Sequence, residues 1–279
     1  MIVLADSGST KTDWCVIHDS KTYMFHSKGL NPFFVESNEI YSEIQRTYTV
    51  TAAPHEITKV FFYGAGCKAY ESQLIVKRAL QDFFPNATCC VDSDLVGAAI
   101  ALHGNNPGLV AIVGTGMSIA YWNGTDIQEM LPSLGFILGD EGSGAYIGKC
   151  FIQALFQNKL PIHIIEEWNH TFACTLPQVL EHVYKKPFPN RYLASFVPFV
   201  YKHRHDKAIQ EMLQIIFNQF ASQVSEIATK YNCNSISCVG SVAYFFKDFV
   251  YLALQKKSVE LQETDSSPIQ KLIQYYINN

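Results

Sequence analysis

Asp6-Ser7-Gly8-Ser9-Thr10-Lys11-Thr12 follows an apolar run, residues 2–5, and precedes a second strand-like segment, residues 13–18. A buried strand here delivers a carboxylate to its own C-terminal end. The turn after it is made of glycine, hydroxyl residues and a lysine. Its backbone N–H groups and hydroxyls can surround phosphate oxygens, with Gly8 allowing close approach. Asp6 can hold Mg²⁺ through water, because that ion keeps most of its hydration shell. After a turn at 19–20, residues 22–26 read as a third strand. The same order returns about 108 residues later: an apolar strand at 109–113, the turn Gly114-Thr115-Gly116-Met117-Ser118, and a strand at 118–122. An Asn123-Gly124 hairpin and a strand at 126–131 complete it. We read this as a duplication at the level of the fold. Two such turns can grip a triphosphate from opposite sides.

Between and beyond the two copies the pattern is mixed α/β. A helix is expected at 38–49, with Asn38 as N-cap and Ile40, Ile44 and Tyr48 at four-residue spacing. A strand at 58–63, an amphipathic helix at 71–84, a strand at 87–91 and a helix opened by Asp94 follow. His-Gly-Asn-Asn-Pro-Gly at 103–108 reads as a linker. Further on, a helix at 143–157, a mostly helical stretch at 158–230, a strand at 236–239, a helix at 243–255 and a terminal helix at 268–277 are expected.

The chain has 279 residues, 48% of them hydrophobic and 13% aromatic, which supplies a substantial core and excludes disorder. Net charge is −4 and the basic residues are scattered, so nucleic acid and anionic membranes are not expected partners. No apolar run reaches the roughly 18–20 residues of a membrane span. The opening Met-Ile-Val-Leu-Ala-Asp lacks the basic and apolar regions of a signal peptide. A cytoplasmic protein is expected, its eight cysteines reduced and the sequons at Asn86, Asn123 and Asn169 unused.

Two more strings carry chemistry. Leu134-Gly135-Phe136-Ile137-Leu138-Gly139-Asp140-Glu141-Gly142-Ser143-Gly144 places two acids among glycines at a helix start. The helix dipole alone would favour them there; the functional reading has Asp140 accepting hydrogen bonds from substrate hydroxyls. Cys238-Val239-Gly240-Ser241-Val242-Ala243 ends a strand in two small residues, where a flat base could lie against the backbone. An ordinary strand–helix turn is the plainer reading.

In order, these strings resemble the phosphate 1, phosphate 2 and adenosine motifs of the actin/hexokinase/heat-shock ATPase superfamily. More closely, Asp6–Thr12 and Leu134–Gly144 resemble the BadF/BadG/BcrA/BcrD-type ATPases, which include N-acetylglucosamine kinases. The resemblance covers about residues 2–250, and Gly-Asp-Glu-Gly-Ser-Gly is its most specific piece. It implies an α/β fold of two RNase-H-like, actin-like ATPase lobes with a nucleotide cleft between them. The N-terminal lobe would be 1–106, completed by a C-terminal helix at 265–279. The second would be 107–264, with a helical insertion at about 158–230. Mg²⁺ would sit by Asp6, held through water. Gly8, Ser9, Thr10, Lys11, Thr12, Gly114, Thr115, Gly116, Gly240 and Ser241 would bind ATP. By matching position Asp94 corresponds to the catalytic base, and Asn31, Gly64, Ser133 and Asp140 line the sugar side with it. The implied activity is ATP-dependent phosphorylation of an N-acetylated amino sugar, N-acetylglucosamine or a relative such as N-acetylmuramic acid. The alternative within the same family is an ATPase switch of the acyl-CoA dehydratase activator type. A homodimer is compatible with either.

Two departures stand out: Met117 where the family's second turn carries serine, and Pro132-Ser133-Leu134-Gly135 in place of Gly-Gly-Trp-Gly. Asp92 competes with Asp94 as the base, and the family pattern favours Asp94. Gly64-Ala65-Gly66-Cys67-Lys68-Ala69 imitates a dinucleotide fingerprint. The hairpin before it speaks against that, and the loop is expected to border the sugar pocket. Cys89-Cys90 is read as one buried and one half-buried thiol, since neighbours on a strand point to opposite faces. His203 and His205 are read as lacking an acidic partner, and Phe33-Phe34 and Phe245-Phe246 as core.

Overall fold

The computed structural model describes residues 1–19 and 21–279; Ser20, in the turn expected at 19–20, lies outside them. The chain forms two compact units. One comprises Met1–Val110, Trp122–Gln128 and Ser267–Asn279; the other comprises Ala111–Tyr121 and Glu129–Ser266.

The first unit begins with β1 (Ile2–Ser7), β2 (Lys11–His18), β3 (Lys21–Lys28), α1 (Ser37–Thr47), β4 (Lys59–Gly64), α2 (Tyr70–Phe83), β5 (Thr88–Ser93) and α3 (Asp94–His103). Its sheet order is β3-β2-β1-β4-β5. The first three strands are antiparallel neighbours, while β4 and β5 run parallel to β1. Alternate residues feed two cores. Val3, Ala5, Trp14 and Val16 pack with Ile40, Ile44, Val76 and Leu80 from α1 and α2. Leu4, Cys15, Ile17 and Tyr63 pack on the other face, with Val96 and Ile100 of α3 against them. Both faces are covered, which is why β1 and β2 read as continuous apolar runs rather than alternating ones.

The second sheet contains β6 (Gly108–Val113), β7 (Met117–Trp122) and β8 (Ile127–Met130). The helices α4 (Gly135–Leu138), α5 (Gly144–Phe156), α6 (Ile162–Phe172), α7 (Leu176–Tyr184), α8 (Pro189–Ala194), α9 (Val197–Lys202) and α10 (Lys207–Lys230) come next. Then β9 (Ser235–Val239), α11 (Ser241–Phe245), α12 (Lys247–Gln255) and β10 (Glu260–Asp265) finish this part of the chain. The order is β10-β9-β6-β7-β8, so β6-β7-β8 repeat the places of β1-β2-β3, and β9 and β10 those of β4 and β5. The repeat heard in the two turns is a repeat of sheet order. In α10, Ile209, Leu213, Ile216, Phe220, Val224 and Ile227 form the buried stripe of an amphipathic helix.

The chain re-enters the first unit at Ser267 and ends in α13 (Ile269–Asn278). Ile269, Leu272 and Ile273 join the core of Leu4 and Tyr63, beside α3. Among the described residues no helix is long and apolar enough to cross a membrane.

The structure corrects several expectations. The N-cap of α1 is Glu36, whose N–H donates to Glu39 Oε2 at 3.0 Å, rather than Asn38. The helix expected at 243–255 is two helices broken at Phe246. The strand β10 was not expected. Its Glu-Leu-Gln-Glu-Thr-Asp is a half-exposed edge that pairs, among the described residues, only with β9, so it lacks an apolar run. Phe33 and Phe34 are 71% and 56% exposed and Phe245 is exposed, so of these four rings only Phe246 is core. Cys89 is buried as read, but Cys90 is exposed rather than half-buried. His203 does have an acidic partner, Glu167 at 3.3 Å.

Candidate active site

The turn between β1 and β2 is tighter than its seven-residue string suggests, because β2 already begins at Lys11. Gly8 N–H donates to Lys11 O at 2.9 Å, leaving Gly8, Ser9 and Thr10 as the bend, half-buried at Gly8 and Ser9 and exposed at Thr10. Behind it, Ser7 and Thr12 are fully buried and their hydroxyls bond each other at 2.8 Å. The Ser7 hydroxyl also accepts Leu30 N–H, and Thr12 donates to Lys28 O. Thr12, expected among the phosphate contacts, is therefore spent inside the fold. Gly29 runs directly beneath the bend: its N–H donates to Thr10 O, and a Cβ there would lie 2.5 Å from Gly8 O.

That underpinning places Asn31. Its Oδ1 accepts Phe33 N–H at 2.9 Å, which sets the amide orientation and leaves the NH₂ group to donate elsewhere. Gly66, at φ +84°, has no room for a side chain because Asn31 Oδ1 fills the space. The loop after β4 thus packs on Asn31, and Ala65 N–H donates to Ser7 O at 2.8 Å. Gly64 is buried against the Phe62 ring and Cys67 Sγ, so only its backbone is available.

Asp6 is the penultimate residue of β1 and Asp94 opens α3, where Leu95 N–H donates to Asp94 Oδ1 at 3.0 Å. Burial pushes the Asp6 carboxyl up to about 7, and the charges of Asp94 and Asp13 add to the rise. Burial likewise pushes Asp94 up to about 6. Asp92 is exposed and accepts Ser93 N–H at 2.7 Å. Folding therefore takes up protons above the ordinary carboxylate value of 3.8, and the two groups destabilise the folded state increasingly as pH rises towards 7. In metal-free buffer the Tm should fall between pH 5 and pH 8, and Asp6→Asn should flatten that fall and raise Tm at pH 8. An unchanged pH slope in that variant would contradict the placement of its charge.

In the second unit, Gly114-Thr115-Gly116 is closed by Gly114 N–H donating to Gly116 O at 2.9 Å. Nothing lies within 4 Å of a Cβ built on Gly114. The start of α5 is bolted to this turn: Gly144 N–H donates to Gly114 O at 2.7 Å and Ala145 N–H to Thr115 O at 3.0 Å. Asp140, at φ +62°, turns its carboxylate onto the same bend. It accepts Met117 N–H, and its Oδ2 would stand 3.2 Å from a Gly116 Cβ. Burial raises its pKa, with the Glu141 charge adding. Glu141 is held by Gln223 Nε2 at 2.8 Å, and Ser143 caps α5. Asp140 thus braces the second turn. Gly240, at φ +114°, lies against Val113 O and Gly114 N, so this glycine serves close packing of β9 on the turn's root. Ser241 and Ser133 are exposed.

Each unit therefore holds a glycine-rich bend on a dense hydrogen-bonded floor, with open space at Gly114 in the second. A crystal structure of a putative N-acetylglucosamine kinase from Porphyromonas gingivalis matches all of this chain and 99% of its own, at 34% identity and TM-score 0.94. The chain belongs to that sugar-kinase family. By membership it is a phosphotransferase. The kinase also shares its fold with a putative N-acetylglucosamine kinase from Chromobacterium violaceum, at TM-score 0.71 and 14% identity over 98% of each chain. A ROK family glucokinase from Streptomyces griseus, solved with glucose and AMPPNP, superposes at TM-score 0.61 with 11% identity over 98% of the kinase and 97% of that chain. These two likenesses are of fold. No protein-family model and no curated protein matches the sequence.

Sequence reading missed Gly29 beneath the first bend, Asp13 bonded to Lys11 at its edge, Ser267 beside Asp6, and His26, which pairs with Asp13. Asp13 left a trace, as an acidic residue inside an otherwise apolar strand. Ser267 left none.

Proposed function

We propose that the kinase transfers the γ-phosphoryl group of ATP to a hydroxyl of an N-acetylated amino sugar, N-acetylglucosamine or a relative such as N-acetylmuramic acid. The observation that carries this is the grouping in one unit of Asp94, with its carboxyl near 6, Asp6, the Gly8–Thr10 bend and the amide of Asn31. It is a base, a charge site, a phosphate cradle and a sugar contact on one scaffold. The 34%-identical relative, itself a putative N-acetylglucosamine kinase, supports the sugar class. The BadF/BadG/BcrA/BcrD-type assignment, the lobe boundaries at 106 and 264, and a cytoplasmic location belong to the same reading.

Asp94 takes the proton from the attacking hydroxyl. The hydroxyl oxygen forms a bond to the γ-phosphorus as the bond to the β–γ bridging oxygen breaks, and ADP leaves. A base near pH 6 is unprotonated at neutral pH yet still basic enough to accept that proton. Gly8, Ser9, Thr10 and Lys11 in the first bend, and Gly114, Thr115 and Gly116 in the second, align the phosphates. Most of the rate comes from that alignment and from charge neutralisation, since the transition state is loose. The oxygen donors fit Mg²⁺: burial first, and then the charges of Asp94 and Asp13, lift the pKa of Asp6, and a hard divalent ion would relieve that excess of negative charge. Held by Asp6 through water, Mg²⁺ would neutralise phosphate charge. Asn31, Ser133, the backbone at Gly64 and Asp140 are assigned to the sugar side, Asp140 also bracing the second bend. Ser241 and Gly240 are assigned to the adenosine side.

The test is a panel of amino sugars assayed for ADP release and phosphosugar. Turnover that depends on an N-acetylated amino sugar is expected. ADP release indifferent to every sugar would replace this reading with an ATPase switch.

A further inference from the structure

Across the first sheet, register places His26, Asp13, Asp6, Tyr63 and Asp92 in one row on β3, β2, β1, β4 and β5. Cross-strand partners project to the same face, so Asp6 and Asp13 stand directly opposite one another as like charges. Asp13 is only 4% exposed, and a carboxylate buried this far needs partners. It has three. His26 Nδ1 meets its Oδ1 at 2.9 Å, while Lys11 Nζ at 2.8 Å and Ser267 Oγ at 3.1 Å meet its Oδ2. Ser267 Oγ is also 3.5 Å from Asp6 Oδ2, placing one hydroxyl between the two carboxylates.

We infer that Asp13 and Ser267 are positioning residues for Mg-ATP. Asp13 aims the Lys11 ammonium at the edge of the first bend, and Ser267 holds the Asp6 carboxylate in place across from it. Asp13 is saturated by its partners and is not itself a ligand. Ser267 is the residue at which the chain re-enters the first unit, so the C-terminal segment that ends in α13 completes the nucleotide side of the site. The inference rests on the proposed role of Asp6 and Lys11.

The test compares wild type, Ser267→Ala, Ser267→Thr and Asp13→Asn for binding of a fluorescent ATP analogue with Mg²⁺ and with EDTA, alongside Tm and the KM for sugar. Loss of one hydrogen bond to a charged group should weaken Mg²⁺-supported binding by Ser267→Ala about fivefold or more. Binding in EDTA and the sugar KM should stay within about twofold, and Ser267→Thr should recover most of the loss. Asp13→Asn should weaken binding in both buffers, because Lys11 loses its guide. Unchanged Mg²⁺-supported binding in Ser267→Ala overturns the inference, as does an equal loss towards every ligand with a lowered Tm that threonine does not restore. Wild-type protein that binds no Mg-ATP would instead remove the functional reading, and this inference with it.

Discussion

Asp94→Asn is expected to lower kcat by about a thousandfold, within the 10²–10⁴ that a positioned general base supplies, while the KM for ATP moves less than about twofold. Asparagine keeps the size of the side chain and can still accept Leu95 N–H through its oxygen, so the start of α3 should stay in place. Only the capacity to take a proton disappears. Wild-type kcat/KM should rise with pH through an acid limb near 6, set by the burial that raises Asp94, and level off above it. Asp92→Asn, at the exposed end of β5, should leave both the rate and that limb nearly unchanged. A collapsed ATP affinity in Asp94→Asn, or the larger rate loss in Asp92→Asn, would show that the base is misassigned.

The two bends offer a second experiment, in which the same chemical change should have opposite physical effects. A Cβ at Gly29 would meet Gly8 O at 2.5 Å and the Ser9 carbonyl carbon and oxygen at 2.7 Å. These are backbone atoms that cannot swing aside. Gly29→Ala should therefore cost about 1–3 kcal/mol of stability, displace the first bend and raise the KM for ATP together with lowering Tm. At Gly114 no atom lies within 4 Å of the added methyl, and its φ is not in the left-handed region. Gly114→Ala should leave Tm unchanged or slightly higher, since alanine restricts the unfolded chain. Yet the methyl would enter the space assigned to the phosphates, so the KM for ATP should rise about tenfold from the loss of close approach. If Gly114→Ala binds ATP like wild type, the second bend does not cradle phosphate.

How far residues alone led can be judged at particular positions. Strand–bend–strand was legible twice because it depends on local chemistry: apolar runs covered on both faces, and glycine with hydroxyl residues where the backbone turns sharply. Asp94 at a helix start was legible for the same reason. Thr12 was read as a phosphate contact because its type and neighbours suit one. Whether a hydroxyl faces outward depends on which strand end it meets, and Thr12 meets Ser7 and Lys28. Phe33-Phe34 was read as core from hydrophobicity, but both rings lie on the surface, one residue past the Asn31-Pro32 pair that orients the loop. Asp140 is expected beside substrate from its glycine-rich setting, and what the local string hides is its second role, bracing the other bend. Its partner, Met117 N–H, lies in a bend more than twenty residues earlier, and nothing in the local string points there.

Sequence by itself determined the repeated α/β plan, the two glycine-rich bends and the acidic residues that chemistry would use, because periodicity, turn propensity and strand burial act over a few neighbouring residues. Tertiary structure alone decided which groups remain available. It spent Thr12 on the floor of the bend, saturated Asp13, drew Asp140 onto Gly116 and brought Ser267 across the whole chain to Asp6. Strand register and the return of the last helix set those meetings, and neither is written in any short stretch of residues.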